Sequence, residues 1–221
     1  MKRYTVIGII VIGIFGFAYL ELLETSSAVY ERNGDYAHGI FSSGWCQMLD
    51  SASRRLCDTD DDAEALAGGQ WLCHECCWGE AAEPSIRNGT AMDVECPGGI
   101  RLYAVPIRAN DEIIGSINFG YGDPPQNRRR IEEIAGKYKV DPDDLQREAN
   151  RYESRPKFIA DIAKKRLQSS AGLIGALVES KTAQTSLNNT MTTSGTKLFN
   201  YFSLYTLIGP MYSFVNPLSK N

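Results

Sequence analysis

The chain predicts an α+β fold, an antiparallel five-stranded sheet with inserted helices, preceded by a transmembrane helix and followed by C-terminal helices. Three observations carry this. The stretch Cys96 to Tyr121 reads as two strand-forming arms around a polar break, Ala109-Asn110-Asp111-Glu112. A second pair of arms, Ala28–Glu31 and Tyr36–Phe41, flanks an Asn33-Gly34 turn, a strong hairpin signal. Between the two pairs, strand alternation gives way to helix caps and helical spacing.

The elements follow in order. Tyr4 to Leu20 carries no charge, and the apolar run continues through Leu22-Leu23. A helical span needs about 20 such residues, and this run exceeds the core of a signal peptide. Residues 1–23 are therefore expected to be an uncleaved, single-pass anchor. Lys2 and Arg3 ahead of the span place the following domain outside by the positive-inside rule. After the first hairpin, Ser42-Ser43 caps a helix to about Leu56, with Trp45, Met48 and Leu49 on one side. The Asp58–Asp62 run fails as a calcium loop, because Ala63 and Gly69 stand where Gly and Glu are required; it reads as a solvated cap of a helix from Ala63.

Trp71-Leu-Cys-His-Glu-Cys-Cys-Trp78 follows a Gly-Gly break, then a short helix from Gly79 to Arg87 ends at Asn88-Gly89. Met92–Glu95 is a strand leading into the long hairpin. On the last strand, Ile113, Gly115, Ile117 and Phe119 share one face, and Ile114, Ser116, Asn118 and Gly120 the other. This order of strands and helices is a PAS-like layout with helices on one face of the sheet. Gly122-Asp-Pro-Pro125 stops the sheet. Helices are expected over Asn127–Tyr138, over Pro142–Tyr152 and from Lys157 to about Thr182. The last carries Ala160, Ala163, Leu167, Ser170, Ile174 and Leu177 at heptad-like spacing, which serves either packing on its own domain or a homodimer through 157–182. No Asp or Glu follows Glu179, Ser186 to Thr196 is Ser/Thr/Asn-rich and expected to be disordered, and Leu198 to Val215 is aromatic. The boundaries are thus 1–23 for the anchor, 24–125 for the α+β domain, 126–184 for the helical extension and 185–221 for a low-complexity tail.

Composition narrows the function. A formal charge of −4 with no basic stripe argues against nucleic acid as a partner. No Ser/His/Asp set or spaced acid pair stands out, so no enzyme activity is expected. All six cysteines lie between Cys46 and Cys96. Cys73-His-Glu-Cys76 is a C-x-x-C, which with Cys57 and Cys96 offers four thiolates for zinc or another metal; the same thiols suit a redox pair or a simple lining of the core. Trp45, Trp71, Trp78, Tyr103 and Phe119 are the aromatic candidates for a small apolar ligand pocket.

Cys96-Pro-Gly-Gly-Ile-Arg-Leu-Tyr-Ala-Val-Pro-Ile resembles the late motif of the PocR-type sensory domain: a cysteine, a Gly-hydrophobic pair, then Pro-Ile entering a strand. Cys46 and Cys57 resemble that family's earlier cysteines, and Gly115 and Phe119-Gly120 its following strand. Asp123-Pro-Pro125, Tyr152–Pro156 and the helix after them are similar to the continuation in sensor histidine kinases. The resemblance implies a PAS-like module that binds a small organic molecule, such as a simple hydrocarbon derivative, and signals through its C-terminal helix. It adds Cys46 and Cys96 to the ligand candidates. It implies a histidine kinase or response regulator as partner and a cytoplasmic domain, against the two-charge rule, and the larger set of residues decides for the cytoplasm. Only His38 and His74 are present and neither lies on the long helix, so the kinase core is absent and a truncated or frame-changed kinase is the expectation. The alternatives are a cysteine-based metal or redox sensor on the same fold, and a non-catalytic, membrane-tethered interaction domain.

Overall fold

A computed structural model describes residues 26–41 and 43–193. Five strands, β1 (Ser26–Glu31), β2 (Tyr36–Phe41), β3 (Met92–Glu95), β4 (Arg101–Ala109) and β5 (Glu112–Tyr121), form one antiparallel sheet in the order β2-β1-β5-β4-β3. The first and last strands, β1 and β5, thereby lie side by side at the centre, and the helices enter between β2 and β3, in the PAS-like manner expected. The β4–β5 turn holds Asn110 and Asp111 at φ 48° and 63°, the left-handed pair that matches the twist of a two-residue hairpin.

Helices α1 (Gly44–Arg55), α2 (Asp62–Ala67), α3 (Leu72–Glu75), a π-helix (Cys76–Ala82) and α4 (Glu83–Asn88) precede β3; α5 (Arg128–Tyr138), α6 (Pro142–Arg151) and α7 (Lys157–Thr193) follow β5. Caps fix most of these ends. The Ser43 hydroxyl accepts from the Cys46 N–H, Asp61 from Ala63 and Glu64, Asn127 from Arg130, and Asp141 from Asp143 and Asp144.

Strand alternation sorts the core into two faces. On one, Val29, Tyr103, Val105, Ile107, Ile117 and Phe119 meet Ala163, Leu167, Ala171 and Ile174 of α7. Burying each larger aliphatic there contributes about 1.5–3 kcal/mol. Gly175 permits the closest approach: a Cβ on it would stand 1.8 Å from the Arg108 carbonyl oxygen. On the opposite face, Ala28, Tyr30, Leu102 and Ala104 pack on Cys76, Ala81 and Ala82 of the π-helix. A separate cluster joins Trp45 and Leu49 of α1 and Ile100 to Ile131, Ile134 and Tyr138 of α5 and Leu145 of α6. The Pro97–Ile100 turn is wedged beneath it. Gly99 sits there at φ +81°, and a Cβ on it would fall 2.4 Å from Pro125, so no side chain fits.

Several expectations are corrected. Helices cover both faces of the sheet, because α7 folds back on the face that the inserted helices leave open. The heptad-like seam packs on its own sheet through Ala163, Leu167, Ala171, Ile174 and Val178, while Leu177 is exposed. Helical structure begins at Leu72 rather than Gly79 and includes a π-helix. Helix α7 runs through Thr193, into the stretch expected to be disordered. The chain divides into two units, Met1–Glu179 and Ser180–Asn221. No helix among the described residues is long and apolar enough to cross a membrane. The expected anchor at 1–23 and the aromatic stretch at 198–215 lie outside the described residues.

Candidate functional site

Where α1, the α3–π-helix segment and the Cys96 turn converge on β4, they enclose a cavity of about 30 Å³. Leu102 of β4 and Ile100 form its floor, with Ser26 at the side; Trp45, Cys46 and Leu49 come from α1, Tyr138 from α5, and Cys73, Cys76 and Cys77 from the helical segment. Cys96 and Gly98 supply the turn. Local geometry explains the convergence. Cys46 and Leu49 are one turn apart on α1, and Cys73 lies three residues before Cys76, so each pair shares one helix face; Cys77 reaches the same cavity from the π-helix. The Trp45 indole N–H donates to the Gly98 carbonyl at 3.0 Å, tying α1 to the turn.

Five of the lining residues are cysteines, all free. Burial pushes the Cys46 thiol up to about 11 and raises Cys73 and Cys77 as well. These three remain neutral thiols. Cys73 donates weakly to the Tyr138 hydroxyl at 3.9 Å. Cys76 and Cys96 belong to one packed cluster at the cavity wall, and their influence on each other raises the Cys76 thiol and lowers Cys96. The neighbouring Cys76 thiol favours the ionised form of Cys96, against the burial that opposes it, and the Ile100 and Gly98 backbone adds its support. The turn itself is closed by the Gly99 N–H donating to the Cys96 carbonyl at 2.8 Å and the Cys96 N–H donating to the Ile100 carbonyl at 2.7 Å.

Behind the cavity, His74 lies inside an aromatic box. The Tyr30 and Tyr36 rings each stand 5.2 Å from it edge-on, and Trp71 stands 5.9 Å away. Neither ring nitrogen of His74 has a hydrogen-bond partner, and burial lowers the imidazole to about 4. Trp71 donates to Asp50 at 2.8 Å, and Trp78 packs on Tyr30 at 5.4 Å. On the other side of the sheet, Lys164 of α7 reaches Asp93 at 2.7 Å and the Tyr121 hydroxyl at 2.9 Å, and Arg101 joins Asp93 at 2.7 Å. Although burial works the other way, hydrogen bonds from Lys164, Tyr121 and Arg101 hold the Asp93 carboxyl low. Gln168 donates to the Tyr103 hydroxyl at 2.7 Å.

The cavity brings together Trp45, Cys46 and Cys96 of the expected ligand residues. Trp71 and Trp78 stand behind it, in the aromatic box. Tyr103 and Phe119 point to the opposite face, against α7, and do not line it. The proposed metal set is not assembled: Cys73, Cys76 and Cys96 line the cavity, but Cys57 lies outside it, with its thiol toward the Ser53 carbonyl. Among the described residues no group of three or more His, Cys, Asp or Glu side chains is arranged to hold a metal ion, so the thiols do not fit tetrahedral zinc. Cys77, Ile100, Leu102 and Tyr138 were not among the candidates. The alternation along β4 places Leu102 and Tyr103 on opposite faces, but both faces are apolar, so the sequence carries no signal that points to Leu102.

A family model described as the sensory domain found in PocR matches residues 26–182, the larger part of the chain. No curated protein and no solved structure matches.

Proposed function

From the premise that the chain belongs to the PocR sensory-domain family, and so senses a small molecule, we propose that the cysteine-lined cavity is the ligand site and that α7 is its output. The carrying observation is the cavity's position. It lies on one side of β4, while the next residue along that strand, Tyr103, contacts α7 on the other. A volume of about 30 Å³ holds a molecule of about two to three heavy atoms, given that one water fills roughly 10–15 Å³ on this measure. Such a ligand is a simple hydrocarbon derivative with one polar group for the Ser26, Cys96 or Tyr138 end and an apolar part for Ile100 and Leu102. Its occupancy shifts α7 only to the extent that it prefers one of two sheet–helix arrangements.

The finer reading follows the family resemblance. The chain is the input half of a sensor histidine kinase, non-catalytic itself, tethered through residues 1–23 with its domain in the cytoplasm. Its output passes to a histidine kinase or response regulator. Phe158, Ile162, Leu173 and Leu177, exposed on α7, support helix-to-helix pairing with a second copy.

The test is thermal unfolding of the full chain with a panel of short alcohols, diols and ketones, beside a Leu102→Phe variant that fills the cavity floor. At least one compound is expected to raise Tm in the wild type and not in the variant. No rise with any compound, or an equal rise in both proteins, would contradict the assignment.

A further inference from the structure

The polar groups that line the cavity differ in what the fold leaves unpaired. The Trp45 N–H is already engaged by the Gly98 carbonyl at 3.0 Å. The thiols are weak donors and weak acceptors. Tyr138 is different. Its side chain is 1% exposed, and its oxygen takes only a weak hydrogen bond, from the Cys73 thiol at 3.9 Å. Among the described residues the Tyr138 O–H itself donates to none. Tyr30, equally buried, donates to the His74 carbonyl at 3.4 Å, and Tyr121 donates to Asp93 at 2.6 Å. A buried hydroxyl proton without an acceptor is costly, and native interiors rarely keep one.

The donor is held where it is. Tyr138 is the last residue of α5, and Lys139 after it closes the helix at φ 56°. The Lys139 and Val140 N–H groups both donate to the Ala135 carbonyl. Ile131, Ile134 and Ala135 of the same helix are buried in the same cluster, so the ring has no slack in which to swing away. The contact with Cys73, itself a lining residue, puts the hydroxyl end of the ring at the cavity wall. Burial raises the phenol well above its ordinary value, so it keeps its proton. The thiol that donates to its oxygen strengthens it as a donor.

We propose that Tyr138 selects the ligand of this cavity, and that the ligand is a compact hydrogen-bond acceptor of the carbonyl or nitrile kind. Its oxygen or nitrogen accepts from the Tyr138 O–H, and its apolar part lies against Ile100 and Leu102. A cavity of about 30 Å³ limits it to about two or three heavy atoms. Recognition forms no covalent bond and moves no proton. Binding supplies the acceptor that the fold withholds from this donor, and a molecule of the same size without an acceptor leaves it unpaired. The inference rests on the cavity being the ligand site, and the two can fail separately.

The experiment follows the Tm of the full chain against the concentration of acetonitrile and of propyne. The two are linear molecules of the same shape, and only acetonitrile carries a strong acceptor. Acetonitrile is expected to bind the wild type about tenfold more tightly than propyne, and Tyr138→Phe should bind the two about equally. Ser26→Ala, which removes the other hydroxyl of the lining, should keep the preference. Without ligand, Tyr138→Phe should unfold at no lower a temperature than the wild type, since it removes a proton that has no acceptor. A preference that survives Tyr138→Phe, one that vanishes in Ser26→Ala, or a lower ligand-free Tm in Tyr138→Phe would overturn the proposal. Equal binding of both compounds to the wild type, blocked by Leu102→Phe, would overturn selection by Tyr138 and leave the cavity as the ligand site. Stabilisation by neither compound would overturn both.

Discussion

The two faces of the sheet are built from neighbouring residues of the same strands yet do different work. The α7 face is filled by interlocking aliphatic and aromatic side chains and pinned at its edge by Lys164–Asp93. The other face is made of small residues, Ala28, Ala81, Ala82 and Ala104, and of thiols that leave a void beside Leu102. A filled face transmits displacement, because a close-packed interior has no slack. A face with a void can accept something. Placing the two back to back on β4 puts the lining of the void and the packed helix interface one residue apart in sequence.

The largest way to break that comparison is to hollow the filled face. Ile174→Ala is expected to cost about 2–4 kcal/mol in denaturant unfolding, because Ile174 is buried in the α7 interface. Leu173→Ala, on the exposed side of the same helix, should stay within about 0.5 kcal/mol. Next, Trp45→Phe removes the indole donor and leaves the Gly98 carbonyl unpaired, at about 1–3 kcal/mol, and should loosen the turn that presents Cys96.

Acid separates the faces further. His74 is held neutral in the fold at about 4 against 6.5 when free, so the unfolded chain binds the extra proton between those values. Stability from this group is full above pH 6.5 and declines as pH falls toward about 4, by about 1–2 kcal/mol after allowance for solvent. His74→Phe keeps a ring in the aromatic box, removes two unpartnered nitrogens and should flatten that slope in a pH series of unfolding curves. Asp93 has the smallest effect. Its carboxyl is held low in the fold, so its contribution is present above the ordinary carboxylate value and is lost as pH falls through the folded one. The group is largely solvated, so Asp93→Asn should cost under about 1 kcal/mol and remove the acid-side loss on the α7 face.

Strands and caps were legible because their signals are local. Asn33-Gly34, Asn110-Asp111, Ser43, Asp61 and Asp141 each act on a few neighbouring backbone groups. Half of the candidate site was legible too, since Trp45, Cys46, Cys73, Cys76 and Cys96 are chemically conspicuous. The remainder depends on three dimensions. Both faces of β4 are apolar, so alternation separates Leu102 from Tyr103 but does not say which side holds the void; the conspicuous aromatics Tyr103 and Phe119 therefore point to a pocket on the wrong face. Cys77 reaches the cavity from a π-helix, whose period the usual helical spacing does not follow. The Ala163–Ile174 stripe fits a partner helix or a sheet equally well, and only the fold-back of α7 decides between them.

The central claim is that a change on the void face is felt on the filled one. Amide hydrogen exchange on the full chain, wild type against Leu102→Phe, tests it without any ligand. The account predicts altered protection along α7 between about Ala163 and Ile174 as well as around Cys96–Leu102, although the Leu102 side chain lies on the face away from α7. Altered protection confined to Cys96–Leu102 and the π-helix, with α7 unchanged, would contradict it.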